Sequence, residues 1–195
     1  MRRFMLVGKT GVGKSSFINS TLGKYLAQTS EFEACTKLVE YHAHNTPIGN
    51  ICLIDTPGLA EDDKVLDKEY LSLIQRQVDL RQINAIIYVT RLDETRFRPD
   101  EKRTLSLLTT ELGSSIWNRS WLVLTFAASV LDEHRQEVTR KKVEHIEAFL
   151  HRITAENKLT PPFKGFLTKL RVDNTVRGWS QEAVSILSVL ANKQT

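Results

Sequence analysis

Apolar residues fall along this chain in two alternating rhythms. Short continuous or near-continuous runs, Phe4–Val7, Ile51–Ile54, Ile83–Thr90 and Trp121–Phe126, have the length and composition of strands covered on both faces. Between them the spacing lengthens to about three and four residues: Phe17, Ile18 and Leu22; Val65, Leu66, Leu71, Ile74 and Val78; Leu105, Leu108 and Leu112; Val143, Ile146, Phe149, Leu150 and Ile153. That is the stripe of an amphipathic helix. The first helix is expected over about Lys14–Leu26, the second from the charged stretch Glu61–Lys64 to about Asp79, and the third from Pro99, a favourable first-turn residue. Lys37–His44 alternates apolar and polar residues as a half-exposed strand does, and a turn at Pro47–Asn50 joins it to Ile51–Ile54 as a hairpin. Phe166–Leu170 completes the strands and Gln181–Leu190 the helices. Strands alternating with helices, apart from one early hairpin, predict an α/β fold: a doubly wound, mostly parallel sheet with one antiparallel edge strand. Ligands of such sheets sit at the carboxyl ends of the strands.

Composition narrows this little. The 195 residues suit one domain over 1–195, and 41% hydrophobic with 26% charged content is ordinary for a soluble protein. The net charge of +4 is spread along the chain, so no nucleic-acid partner is expected. The cluster Arg140-Lys141-Lys142 falls on a helix and reads as a solvated face. Two cysteines, Cys35 and Cys52, make no disulfide framework, which points to a reducing cytoplasm. No run approaches the roughly 18 apolar residues of a membrane span. Met1-Arg2-Arg3 leads straight into the first strand, so no signal peptide is expected.

The chemistry is concentrated in Gly8-Lys9-Thr10-Gly11-Val12-Gly13-Lys14-Ser15, which fits G-x-x-x-x-G-K-[ST] at every fixed position, between a strand and a helix. The glycines let the backbone turn its N–H groups inward on an anion, and the helix that follows, opening with Ser15 and Ser16, adds donors and the positive end of its dipole. In a nucleoside triphosphatase Lys14 reaches the β- and γ-phosphates and the Ser15 hydroxyl binds Mg²⁺. The strand at 51–54 runs into Asp55-Thr56-Pro57-Gly58. P-loop GTPases place a Mg²⁺-linked carboxylate and a γ-phosphate sensor there, which assigns Asp55 to the metal and the Gly58 N–H to the phosphate. Leu59 stands where Ras-type proteins carry the glutamine that orients water, so intrinsic hydrolysis is expected to be slow.

Further segments resemble one group of such proteins, the septin-related GTPases that include the immunity-associated GIMAP proteins and the Toc receptor GTPases of the chloroplast outer envelope, which share the AIG-type G domain. The segments are Gly-Lys-Thr-Gly-Val-Gly-Lys-Ser-Ser at 8–16, Asp-Thr-Pro-Gly-Leu at 55–59, Arg91-Leu92-Asp93, Leu112–Trp117, and Leu124-Thr125 with Ala127-Ala128-Ser129. The resemblance covers roughly Phe4–Gly178. It implies GTP and GDP as ligands, Mg²⁺ as cofactor and a homodimer formed through the nucleotide face. Thr36 resembles the switch-loop metal ligand, with Thr29 and Ser30 as rivals, and Arg96 matches the arginine that Toc-type proteins present across the dimer. The chain departs from the common pattern at base selection: Thr125-Phe126-Ala127-Ala128 lacks the usual Asp, and Phe126 can stack on a base but cannot hydrogen-bond to it. Val172-Asp173-Asn174 resembles the Val-Glu-Asn of Toc proteins, so Asp173 and Asn174 are the candidate guanine contacts. The two main readings are a slow GTP hydrolase, with Lys14, Gly58 and Arg96 acting on the phosphates, and a nucleotide-gated interaction module with negligible turnover. An ATPase is a third.

Overall fold

A computed structural model describes residues 1–23, 27, 38–46, 49–59, 64–156 and 163–172. Its elements are β1 (Arg2–Val7), α1 (Lys14–Leu22), β2 (Glu40–Thr46), β3 (Gly49–Asp55), α2 (Lys64–Gln77), β4 (Ala85–Arg91), α3 (Pro99–Leu112), β5 (Ser120–Thr125), α4 (Asp132–Glu156) and β6 (Thr168–Arg171), with short 3₁₀ turns between some of them. They build a six-stranded sheet of order β2-β3-β1-β4-β5-β6, in which only the β2–β3 pair is antiparallel. This is the expected α/β architecture.

Alternation along β1 sorts the core. Phe4 and Leu6 face α1, packing with Phe17, Ile18 and Leu22, whereas Met5 and Val7 join α2, α3 and α4 on the other face. The chain leaves β1 towards β3 on one side and returns to β4 on the other. The carboxyl end of β1 is therefore a topological switch point, where such sheets hold their ligands.

Several boundaries differ from the sequence reading. Helix α1 stops at Leu22 because Gly23 adopts a left-handed cap (φ 64°) whose N–H bonds the Ser20 carbonyl. Pairing of Thr46 with Gly49 makes Gly49 and Asn50 strand rather than turn. Helix α4 begins at Asp132, eleven residues before its apolar stripe, and its exposed first half carries Arg140–Glu137 and Arg140–Glu144 pairs. Ser114–Arg119 forms a 3₁₀ helix that buries Ile116 and Trp117, the indole N–H donating to Thr109 Oγ1 at 2.8 Å. The expected closing helix at 181–190 lies outside the described residues.

One reading is corrected. Arg140 and Lys141 are solvated, but Lys142 is 1% exposed. Its ammonium meets Glu101 Oε2 at 2.7 Å and the Glu94 carbonyl at 3.1 Å, and Glu101 Oε1 accepts from Thr90 Oγ1 at 2.6 Å. A buried cation is tolerated only when paired and hydrogen-bonded in this way.

Candidate functional site

The loop 8–13 links the end of β1 to the start of α1. Gly13, the residue before the helix, has φ 87°, a left-handed conformation that suits glycine, and Phe17 N–H makes the bond to its carbonyl that opens the helix. The loop and the end of β1 that leads into it are held from two sides, by β5 and by the segment after β3. Thr125 Oγ1 at the end of β5 donates to the Val12 carbonyl at 2.7 Å, and Thr56 Oγ1 donates to the Leu6 carbonyl at 2.6 Å. Leu59 forms a parallel bridge with Lys9: its N–H bonds the Gly8 carbonyl and its own carbonyl accepts from Thr10 N–H, both at 3.2 Å.

Lys14 is 6% exposed and folds back over the loop, its ammonium donating to the Lys9 carbonyl at 3.0 Å and the Gly8 carbonyl at 3.5 Å. The next residue, Ser15, donates its hydroxyl to Asp55 Oδ2 at 2.6 Å, across 40 residues of sequence. The fold thus brings together the cation and both described metal candidates named from the motifs. A hydroxyl and a carboxylate are hard oxygen donors, which fit Mg²⁺ rather than a soft metal.

Gly58 has a role besides the one expected. A Cβ there would stand 2.6 Å from the Thr10 backbone nitrogen, so the missing side chain is what lets segment 55–59 lie against the phosphate loop. Gly58→Ala is expected to push the segment off the loop and to cost about 1–3 kcal/mol of stability. Urea unfolding checks this; an unshifted midpoint would mean that the segment adapts.

Beside the loop lies a second constellation that the motifs did not reveal. Lys9 Nζ contacts Glu94 Oε2 at 3.1 Å and Asp100 Oδ2 at 2.6 Å. Burial draws the pKa of Lys9 down, but the hydrogen bonds to Asp100 and Glu94 outweigh it and hold the ammonium above its ordinary value. Burial likewise pushes Asp100 up, and the Lys9 contact wins, leaving the carboxyl below its usual range. Arg91 and Asp93 form a two-point pair at 3.0 and 2.7 Å; that hydrogen bonding lowers Asp93 and raises Arg91. The Arg91 guanidinium also lies 3.9 Å from the centroid of Phe126, which is half-buried with φ 55°. One face of the ring available for a base is thereby covered. The available signal for these contacts was modest: opposite charges within and after the turn that follows β4.

Arg96 is exposed in that turn, two residues beyond Glu94. Thr36, Asp173 and Asn174 lie outside the described residues. Val172 is described. It is buried, bonds the Leu124 carbonyl through its N–H and accepts from Ala127 N–H, so Val172 itself lies beside the end of β5. Among the described residues no helix is long and apolar enough to cross a membrane.

Comparison with known proteins agrees with this geometry. The AIG1 family model matches residues 2–158. Translocase of chloroplast 33 from Arabidopsis thaliana is 36% identical over 157 residues, covering 80% of this chain and 52% of the relative. Translocase of chloroplast 90 from the same organism is 28% identical over 169 residues, covering 82% of this chain and 21% of the relative. The chain thus spans about half or less of the length of these curated relatives. Two crystal structures of Toc33 from Arabidopsis thaliana each superpose with a TM-score of 0.74 over 90% of this chain and 72% of theirs. One, at 28% identity, is a complex with GDP and Mg²⁺; the other, at 29%, is a dimerization-deficient mutant with an arginine-to-alanine change.

Proposed function

The chain belongs to the AIG1 family, and from that premise we propose that it is a guanine-nucleotide switch: a single G domain over 1–195 that binds GTP and GDP with Mg²⁺, hydrolyses GTP slowly and pairs with a second copy of itself in the triphosphate state. The observation that carries this reading is the convergence of Lys14, Ser15 and Asp55 at one strand end, with Ser15 Oγ 2.6 Å from Asp55 Oδ2. The complex of Toc33 with GDP and Mg²⁺ supports it.

In this reading the backbone N–H groups of 8–16 cradle the phosphates, Lys14 neutralises the β- and γ-oxygens, and the Gly58 N–H senses the γ-phosphate. Ser15 and Asp55, with Thr36, would hold Mg²⁺, which when bound offsets charge on the phosphate oxygens. A reducing cytoplasmic setting belongs to the same reading and suits Cys52, a buried free thiol. Isothermal titration with GTP, GDP and ATP, with and without Mg²⁺, tests the assignment; no binding of any of them would end it.

Guanine selectivity is assigned to Asp173, with Asn174 helping. A carboxylate accepting from guanine N1–H and N2–H is worth on the order of 2–4 kcal/mol against adenine, which leaves it unpaired. Asp173→Ala is expected to narrow the GTP/ATP preference accordingly. Wild-type protein that binds ATP as tightly as GTP would refute the assignment.

Arg96 is assigned to the dimer. Its exposure in the turn whose Glu94 meets Lys9 of the phosphate loop, and the Toc33 arginine-to-alanine mutant that is dimerization deficient, support this. In a two-fold pair the nucleotide rims face one another, so each Arg96 reaches the partner's phosphates. Sedimentation is expected to show more dimer with a GTP analogue than with GDP, and Arg96→Ala is expected to weaken it about tenfold. A monomer with both nucleotides at high concentration would remove the dimer from the proposal.

A second reading, a nucleotide-gated interaction module with negligible turnover, is favoured by Leu59. That side chain is 1% exposed and packed in the core, and its backbone is bonded into the phosphate loop, so this position cannot orient water. Turnover per molecule that rises with protein concentration favours the hydrolase; negligible turnover at every concentration favours the module.

A further inference from the structure

Lys9 lies at a junction. Its carbonyl accepts from the Lys14 ammonium at 3.0 Å, its backbone is bridged to Leu59, and its side chain, 12% exposed, reaches Glu94 at 3.1 Å and Asp100 at 2.6 Å. A residue of the phosphate loop is thus tied to the turn between β4 and α3. That turn is held along most of its length. Arg91 is paired to Asp93, Leu92 N–H bonds the Thr125 carbonyl, and the Glu94 carbonyl accepts from the buried Lys142. Phe97 stacks on His145 and meets Phe149 edge-on, with ring centroids 6.3 and 5.5 Å apart. Asp100 is fixed in the first turn of α3, its Oδ1 accepting from Glu101 N–H at 2.9 Å. Thr95 and Arg96 are left exposed at the tip.

We propose that Lys9 is a positioning residue: through Glu94 and Asp100 it couples occupancy of the phosphate loop to the conformation of the 91–98 turn that presents Arg96. The proposal rests on the reading that the phosphate loop binds nucleotide. The route has three contiguous links. A phosphate that draws the Lys14 ammonium weakens its bond to the Lys9 carbonyl. The Lys9 backbone adjusts, and its side chain carries the adjustment to two carboxylates. One of these is two residues from Arg96; the other opens α3. The charges are only partly exposed, so their attraction is screened less than that of a surface pair. Such a route counts as coupling only if breaking a middle link abolishes the distant response while the near one survives.

Hydrogen exchange on the full chain, with GDP and Mg²⁺ and at a concentration where sedimentation shows a monomer, makes that test. Nucleotide is expected to slow exchange in segment 8–16 and to change it by about tenfold in 91–98. Glu94→Gln, Asp100→Asn and the double variant are expected to keep the response at 8–16 and to lose the one at 91–98, most completely in the double variant. The single variants each leave Lys9 one carboxylate, so the fold is retained if the double variant proves unstable. A purely structural role would instead raise exchange at 91–98 equally with and without nucleotide, and that pattern overturns the proposal. So does a wild-type response confined to 8–16, which leaves nucleotide binding standing. Absence of any response at 8–16 overturns the nucleotide reading and the coupling together.

Discussion

Lys14→Ala is expected to lower the affinity for GTP and GDP by about a hundredfold, because hydrogen bonds from an ammonium to phosphate contribute on the order of 3 kcal/mol. The structure sharpens the choice of variant. The Lys14 side chain is buried against the loop it bonds, so truncation to Ala also removes packing. Lys14→Met keeps most of the stem and removes only the charge, and it should lose nearly as much affinity. Ser15→Asn should act differently. It removes the hydroxyl that meets Asp55 and should weaken the Mg²⁺-triphosphate state while sparing GDP. Fluorescent-nucleotide titrations with and without Mg²⁺ separate the two effects. Unchanged affinities in all three variants would show that the phosphates bind elsewhere.

The largest effect on stability is expected at the buried pair behind the nucleotide face. Lys142→Met leaves the Glu101 carboxylate 2% exposed with its cation gone, a change that costs about 3–5 kcal/mol in comparable pairs. Thr90 donates to the other Glu101 oxygen, but a single hydroxyl does not compensate a buried charge. Lys142→Met with Glu101→Gln should be less destabilised than Lys142→Met alone, because the amide carries no charge and still accepts from Thr90. Urea unfolding of the two variants reads this directly. A cost below about 1 kcal/mol for Lys142→Met would mean that the pair is solvated in solution. Lys142 also bonds the Glu94 carbonyl, so its loss should loosen the turn that carries Arg96.

Lys142 marks the boundary of what could be read in advance. Its place after Arg140 and Lys141 suggested a solvated run. Yet it stands four residues before Ile146, seven before Phe149 and eleven before Ile153, on the stripe that packs against the sheet. Position on the stripe outweighed charge because Glu101, from another helix, was there to meet it. The first half of α4 was missed for the opposite reason: a helix segment with no apolar stripe leaves no periodic signal.

The strand runs, the helical stripes, the phosphate loop and the acid at the end of β3 were legible from the sequence alone. Each depends on residues within a few positions of one another, where backbone geometry imposes the spacing. The sheet class followed from their alternation. Tertiary structure decided which distant groups meet: Ser15 with Asp55 across 40 residues, Lys9 with Glu94 and Asp100 across 85 and 91, and Lys142 with Glu101 across 41. These pairings depend on the strand order, on the crossing of α3 and α4 over one face, and on the length of the turn after β4. A polar side chain carries no periodicity that names its partner, so the same residues in another strand order would pair differently. The phosphate loop therefore announces its chemistry locally, whereas its connection to Arg96 exists only once β1, β4 and α3 lie side by side.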